Sequence, residues 1–440
     1  MDLFALAERV LGAARAAGAD EVAIGVGRSS EASLMRRNHQ IEQATQAESL
    51  TLALTLLVDD RYSSHSTSDL RPDALSRFVE RAIAATRVLE PEPERRQPDL
   101  ALCGRGVDEA TLDQYDPAST TITGSERREL TEQIEAAVDA LPDRSRVKSA
   151  TIHLGDSFGE SVRLMSNGFS GSHTWSGFGL GVEMTLEEPG GRRPEAMSWA
   201  SAIHRADLPP LPWFATEAWR KAERRIGSGP APSGRYTMIL EANAAPRILS
   251  VLGGPLSGSE LHQGRSCLAG RLDQVIGSSQ FTLLDEPFIP RGLGSRPYDG
   301  EGLRAAPMPV VAGGVLKNYY ISTYYGRKLG MAPTSGSRSN WVVPPGTRDL
   351  EALIAGVDRG ILVAGFLGGN SNGLSGDFSF GVHGQLIEGG KIVGRVSEMN
   401  VSGNITDIFQ HFVEAGSDVW RYSGVRTPSL VFADVNFSGS

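Results

Sequence analysis

Apolar residues along the chain follow two periods that alternate. Leu3, Leu6, Val10, Leu11 and Ala14 recur at helical spacing over residues 2–18, and Gly18 closes the run; this pattern predicts an amphipathic helix. Glu21–Val26 then alternates, residues 31–46 are polar but strand-compatible, and Ser49–Val58 is apolar up to Asp59-Asp60. Strands are expected there. Helical spacing returns over 72–89 through Leu75, Phe78, Ala82, Ile83 and Val88, and the charged, Pro-rich stretch 90–98 reads as a surface linker.

A further helix is expected over 125–141. From 149 to 204, alternating segments between Ser/Gly-rich turns predict an antiparallel meander, with Gly177-Phe178-Gly179-Leu180-Gly181 as a Gly-alternating strand. A helix over 213–226 leads into Gly227-Ser228-Gly229-Pro230-Ala231-Pro232-Ser233-Gly234, the clearest composition break. Beyond it come a strand at 235–240, a short helix at 244–252, and short strands between Gly-rich turns over most of 279–400. The expectation is an α+β chain: an N-terminal domain 1–226 with helices on a mixed or antiparallel sheet, a linker 227–234, and a β-rich domain 235–440.

Composition narrows the function classes. A chain of 440 residues exceeds what one core usually organises. The net charge of −9, with no Lys/Arg-rich run, argues against a nucleic-acid partner. Two cysteines, Cys103 and Cys267, exclude a disulfide scaffold, and no apolar stretch is long enough to span a bilayer. The first residues interrupt their apolar positions with charge and carry no basic leader, so a reducing cytoplasm is the expected compartment.

A zinc peptidase places two imidazoles on one helical face, because i, i+4 spacing aims both at one metal. None of the eight histidines lies within five residues of another. In Glu260-Leu261-His262 the i, i+2 spacing would splay the two side chains apart on a helix. No Gly-x-Ser-x-Gly elbow occurs, and Cys267 reads as a buried thiol. Asp299-Gly300-Glu301-Gly302 and Asp285-Glu286 pair carboxylates, though the glycines point to turns. The loop from Gly368 to Asp377 is Gly/Asn-rich, without the Lys-Ser/Thr ending of a phosphate loop. A stand-alone hydrolase would have to draw on His262, Asp299, Glu301 and His383.

Five stretches in a fixed order carry a resemblance. They are Leu57–Leu70 with Asp59-Asp60-Arg61-Tyr62, Leu112–Pro117, Gly294–Gly302, Gly314–Tyr319 followed by Tyr324 and Arg327-Lys328-Leu329-Gly330, and Asn372–Phe380 followed by Ile387–Ile392 and Ser402-Gly403-Asn404. Together they resemble the TldD/PmbA peptidase family, also labelled modulators of DNA gyrase. The family's catalytic subunit type carries His-Glu-x-x-x-His on the helix after the first strand of its C-terminal domain, and a Cys near the C-terminus. Here the equivalent helix reads about Ser250-Val251-Leu252-Gly253-Gly254-Pro255, and no cysteine follows Cys267.

The resemblance is therefore to the zinc-less TldE/PmbA type. It implies a C-terminal domain of barrel-like sheets and no catalytic, metal or cofactor-binding residue in this chain. It also implies a dimer, either with a zinc-bearing TldD-type homologue or with itself, that encloses a chamber for unfolded or modified peptides. Candidate peptide-groove residues are His262, Asp299, Glu301, Tyr324, Asn370, Asp377 and His383. The alternatives are a stand-alone peptidase and a homodimeric peptide-binding protein.

Overall fold

The structure is a computed structural model and describes residues 2–104 and 109–439. Helix α1 (Leu3–Ala16) is capped by Asp2, whose carboxylate accepts the Phe4 and Ala5 amides. Strands β1 (Glu21–Arg37), β2 (Gln40–Val58) and β3 (Arg61–Thr67) follow. Asp59 and Asp60, at φ 50° and 59°, form the tight turn between β2 and β3; two successive positive φ angles match the twist of the strands they join. Next come α2 (Pro72–Thr86), the single turn α3 (Glu109–Leu112), α4 (Gly124–Asp139), β4 (Val147–Met165), β5 (Ser170–Leu186), β6 (Glu195–Ala202) and α5 (Leu211–Glu223).

The six strands pair antiparallel in the order β3-β2-β1-β4-β5-β6. Period-two alternation sends Val22, Ile24, Val26, Leu52, Leu54 and Leu56 under α1 and α2. The same parity on β4 and β5 sends Ile152, Leu154, Leu180, Val182 and Met184 under α4 and α5. A bidentate ion pair, Arg127 to Asp156 at 2.6 and 2.7 Å, fastens α4 to this face. All four long helices thus lie on one side of the sheet.

The polar stretch 31–46 is strand because pairing, not burial, fixes it. β1 stays paired with β2 and β4 out to Arg37, with one register shift against β2 between Met35 and Arg36, and the hydroxyls of Ser29 with Ser49 and Ser33 with Thr45 bond across the ladder. On its outer side, residues 40–51 of β2 form an open sheet edge, since β3 pairs only with 52–58.

The second half comprises β7 (Gly234–Leu240), α6 (Pro246–Leu249), α7 (Gly258–His262), β8 (Leu283–Asp285), β9 (Met308–Ala312), β10 (Val315–Leu316), α8 (Thr323–Leu329), β11 (Trp341–Val342), α9 (Leu350–Ala355) and β12 (Arg359–Phe366). It ends with β13 (Asn370–Ser371), β14 (Asp377–Glu388), β15 (Lys391–Asn404), α10 (Ile405–Ile408), β16 (Phe412–Ala415), β17 (Val425–Arg426) and β18 (Leu430–Gly439). Strands β12, β7, β18, β15 and β14 close a barrel, because β12 pairs with β7 on one side and with β14 on the other. Its interior holds Met238, Leu240, Val363, Phe380, Val382, Val401 and Phe437, while Ile239, Leu362, Ile387 and Val431 of the opposite parity pack beneath α9.

Strands β10-β9-β8-β11-β17 make a smaller sheet. At its centre the buried Asp285 carboxylate accepts the Tyr320 hydroxyl at 2.6 Å and the Ser339 amide at 2.9 Å, and the Trp341 indole donates to the Tyr320 oxygen. Burial first, and then Asp285, push the Tyr320 phenol far above its ordinary value.

Two readings of the sequence change. Short strands between turns hold only as far as 358, where turns are satisfied by side chains rather than ladders, Asp299 being the clearest case below; from 359 to 404 the strands β12, β14 and β15 run 8, 12 and 14 residues. The stretch 90–98 is a docked strap, not a free linker. Arg327 of α8 donates to the carbonyls of Glu94, Arg96 and Gln97, and Lys328 pairs with Glu94 at 3.2 Å. Arg95 lies over the Tyr324 ring at 3.5 Å and over Tyr62 at 4.8 Å.

Barrel closure depends on Gly384 of β14, where a Cβ would stand 1.9 Å from the Leu362 carbonyl oxygen across the β12–β14 seam. Gly384→Ala should destabilise the fold by about 2 kcal/mol or more, since overpacking against backbone has no cheap relief. Urea unfolding of the variant against the parent chain checks this.

Candidate functional site on the open face of the first sheet

The face of the first sheet away from the helices is built of small residues. Strand alternation brings Gly25, Gly27 and Ser29 of β1, Ser49, Thr51 and Ala53 of β2, Gly155 and Ser157 of β4, and Gly177 and Gly179 of β5 onto this side. The glycines are needed because two indoles lie flat on the sheet. A Cβ at Gly159 would come within 2.7 Å of Trp175, and one at Gly181 within 2.5 Å of Trp199. Trp199 keeps 40% of its surface exposed and donates its indole N–H to Ser201 Oγ at 2.9 Å.

Segments of the second half form the opposing wall. A groove of about 560 Å³ runs between β1, β2, β4, β5 and residues 296–300, with His173 and Trp175 on its floor. A second groove of about 440 Å³ continues along the same face past Trp199 and ends against Leu293. Tyr298 spans the gap by donating its hydroxyl to the Ser172 carbonyl at 3.1 Å. Arg291 fixes the other end, bonding Asp113 at 2.6 Å and both oxygens of Asp207 at 3.2 Å. Asp113 also accepts His204 Nε2 at 3.0 Å.

Charge on this face is uneven. Burial lowers the His173 pKa, favouring the neutral imidazole. Farther along, the Glu195 pKa is raised, first by a hydrogen bond with Glu183 and then by burial.

The residues singled out by sequence fall into separate places. Asp299 is 4% exposed and organises a turn: one oxygen accepts the Glu301 and Leu303 amides at 2.9 and 3.0 Å, the other the Gly336 amide at 2.9 Å. Glu301 accepts the Thr323 amide at 2.6 Å, at the first turn of α8. Tyr324, on α8, donates to Glu92 at 3.0 Å. These three are brought together around the strap, and Asp299 also lines the groove wall. His262 ends α7 with its ring 6.0 Å from Tyr325, while Glu260 turns to Arg265 at 2.8 Å, as helical spacing requires. Asn370 starts β13, and Asp377 accepts the Asn404 side-chain amide at 2.9 Å beside the loop that contacts Cys267. His383 sits on the barrel near Lys221 and Arg225 of the α5 region. No single cavity collects all seven.

Comparison with known proteins decides the lineage. Residues 22–86 match the PmbA/TldA metallopeptidase domain 1, residues 117–226 its central domain, and residues 233–439 its C-terminal domain. The chain belongs to the PmbA/TldD family. The metalloprotease PmbA of Escherichia coli O157:H7 is 25% identical over 96% of this chain and 92% of its own length. A PmbA homologue from Haemophilus influenzae is 27% identical over 97% and 94%. A crystal structure from Bacteroides thetaiotaomicron, described as a candidate modulator of DNA gyrase, superposes with a TM-score of 0.94 at 35% identity, covering 99% of both chains. TldE from Thermococcus kodakarensis shares the fold, with a TM-score of 0.84 at 21% identity over 99% and 100% of the two chains.

The segment that the resemblance sets against the zinc helix, about Ser250–Pro255, directly follows α6 and carries no His, Cys, Asp or Glu. Ile248 and Leu249 of α6, and Val251 and Leu252 just after it, point into the core. Arg247 turns outward, lying 4.4 Å over the Phe380 ring and donating to the Gly369 carbonyl at 3.3 Å. Among the described residues, no group of three or more His, Cys, Asp or Glu could hold a metal ion. A cation and four buried aliphatics do not fit zinc.

Sequence reasoning missed the floor of the groove. Its one visible sign was the Gly177-x-Gly179-x-Gly181 alternation, but only strand pairing shows that Trp199 covers those glycines.

His383 supplies a test. Burial, then the charges of Arg225 and Lys221, lower its pKa to about 4. A depressed folded-state pKa means stability is fully present above about pH 6.5 and is lost as pH falls towards 4, by at most about 3 kcal/mol. In His383→Gln this component of the pH dependence should vanish, read by denaturant midpoints between pH 7 and 4.

Proposed function

We propose that this chain is the zinc-less subunit of a two-subunit peptidase and that its open sheet face lines the chamber through which an unfolded peptide reaches a zinc-bearing partner of the same family. The observation that carries the reading is the occupancy of the helix after β7. Where the resemblance sets the zinc ligands of the catalytic type, about Ser250–Pro255, this chain presents the buried Val251 and Leu252 followed by two glycines and a proline. Its relatives are named metalloproteases; on this reading the zinc chemistry belongs to the partner subunit.

The open face supports a peptide role on its own terms. Small side chains let an extended main chain approach closely, and flat indoles accept many side chains without demanding one sequence. The adjacent open edge of β2, residues 40–51, carries backbone groups of the kind that pair with an added strand. A subunit without catalytic residues still contributes by excluding water and restricting which chains enter.

The test mixes the purified chain with a His-Glu-x-x-x-His homologue. Alone it should bind no stoichiometric zinc and leave casein intact; together the two should form a particle of dimer mass or larger and cleave casein with chelator sensitivity. Zinc binding or chelator-sensitive cleavage by this chain alone would sink the proposal, as would a self-associated particle that never incorporates the homologue.

A further inference from the structure

At the Leu293 end of the open face, a pocket of about 170 Å³ shares Ser201, Ala202 and Leu293 with the Trp199 groove. It is lined by three arginines, Arg291, Arg421 and Arg426, against one aspartate, Asp207. Asp207 is already engaged through both oxygens by Arg291. Arg421 and Arg426 form no ion pair among the described residues; the Arg421 guanidinium faces the Tyr422 ring at 5.3 Å and donates to its hydroxyl at 3.4 Å.

The pocket wall is held rigidly. Trp420 packs on Tyr422 at 5.0 Å, and both pack on Trp213 of α5, at 6.3 and 6.5 Å. Arg426 belongs to β17, paired to β11. Its Nε is buried without any hydrogen-bond partner. Burial, with the Arg421 charge adding to it, lowers the Arg426 pKa. A partly desolvated guanidinium with an unused donor and a like-charged neighbour is unfavourable until an anion supplies acceptors to both.

We propose that Arg421 and Arg426 form a carboxylate pocket at the end of the groove, which anchors a peptide lying along the open face by an acidic group. The inference rests on the peptide-chamber reading above. A carboxylate fits better than a larger anion because the pocket is small, and planar oxygens meet guanidinium donors in pairs. The Ser201 hydroxyl accepts from Trp199, which leaves its own proton free to donate towards the same anion. The acidic group can be the peptide's C-terminal carboxylate or an Asp or Glu side chain, and the experiment separates them.

Three fluorescein-labelled, unstructured peptides of one sequence serve as probes for the full chain by anisotropy: a free acid, its C-terminal amide, and the amide with an Asp near the C-terminus. The free acid should bind about tenfold or more tightly than the plain amide, the worth of charge-assisted hydrogen bonds. Arg421→Gln, at an exposed side chain, and Arg426→Gln should each erase that difference, and added salt should shrink it. The Asp-bearing amide matching the free acid would assign the pocket to side-chain carboxylates; its matching the plain amide would assign it to the C-terminus. Equal binding of all three peptides overturns the carboxylate pocket and leaves the peptide groove standing. No binding by any of them overturns both.

Discussion

The groove exists because one strap of polar hydrogen bonds holds the two halves of the chain in register. Residues 90–98 run from the first sheet to α8, where Arg327 gathers three backbone carbonyls and Tyr324 meets Glu92. On the first-sheet side, the Gln97 amide bonds Glu21 and the Gln97 side-chain oxygen accepts from Asn167. Each bond is modest alone, but an arginine that satisfies three carbonyls fixes direction as well as distance. Asp299 and Glu301 belong to the same system, since one shapes the turn over the sheet and the other receives the first amide of α8. Their carboxylates are used up in holding the groove wall, which is a reason to read them as architecture rather than as a catalytic pair.

With the wall fixed, the character of the groove follows from parity. The first sheet places most of its bulky aliphatic residues on the helix-covered side, and the other side is rich in Gly, Ala, Ser and Thr. A sheet face so poor in side-chain volume cannot bury itself against a helix, and glycine in strands costs stability. Trp175 and Trp199 recover part of that loss by lying on the glycines, and they leave a flat aromatic surface facing the cavity. A surface with weak sequence demands and close backbone access suits an extended chain of varied sequence.

The barrel of the second half has a different task. Its closure leaves few open strand edges, and beside it the core of this half is packed with aromatics, including the stacked pair Phe281 and Phe409 at 4.6 Å. The helix leaving its first strand, α6, is absorbed into the core, with Arg247 held over Phe380.

The sequence by itself determined the elements whose signals are local. Helices over 3–16, 72–86, 124–139 and 211–223, the strand after the Gly/Pro-rich break, and the family motifs were legible because periodicity and turn residues act over a few positions. Asp299 was legible as a turn, since glycines flank it. What only the tertiary structure decided were the features made by residues far apart in the chain. Trp199 meets Gly181 by strand pairing, Arg327 reaches 94–97 across 230 residues, and Arg421 and Arg426 share a cavity with Ser201. The polar stretch 31–46 became strand through its ladder partners rather than its own hydrophobicity, and the barrel closed through the pairing of β12 with both β7 and β14. Those arrangements depend on register and on which faces meet, and no local window of sequence encodes either.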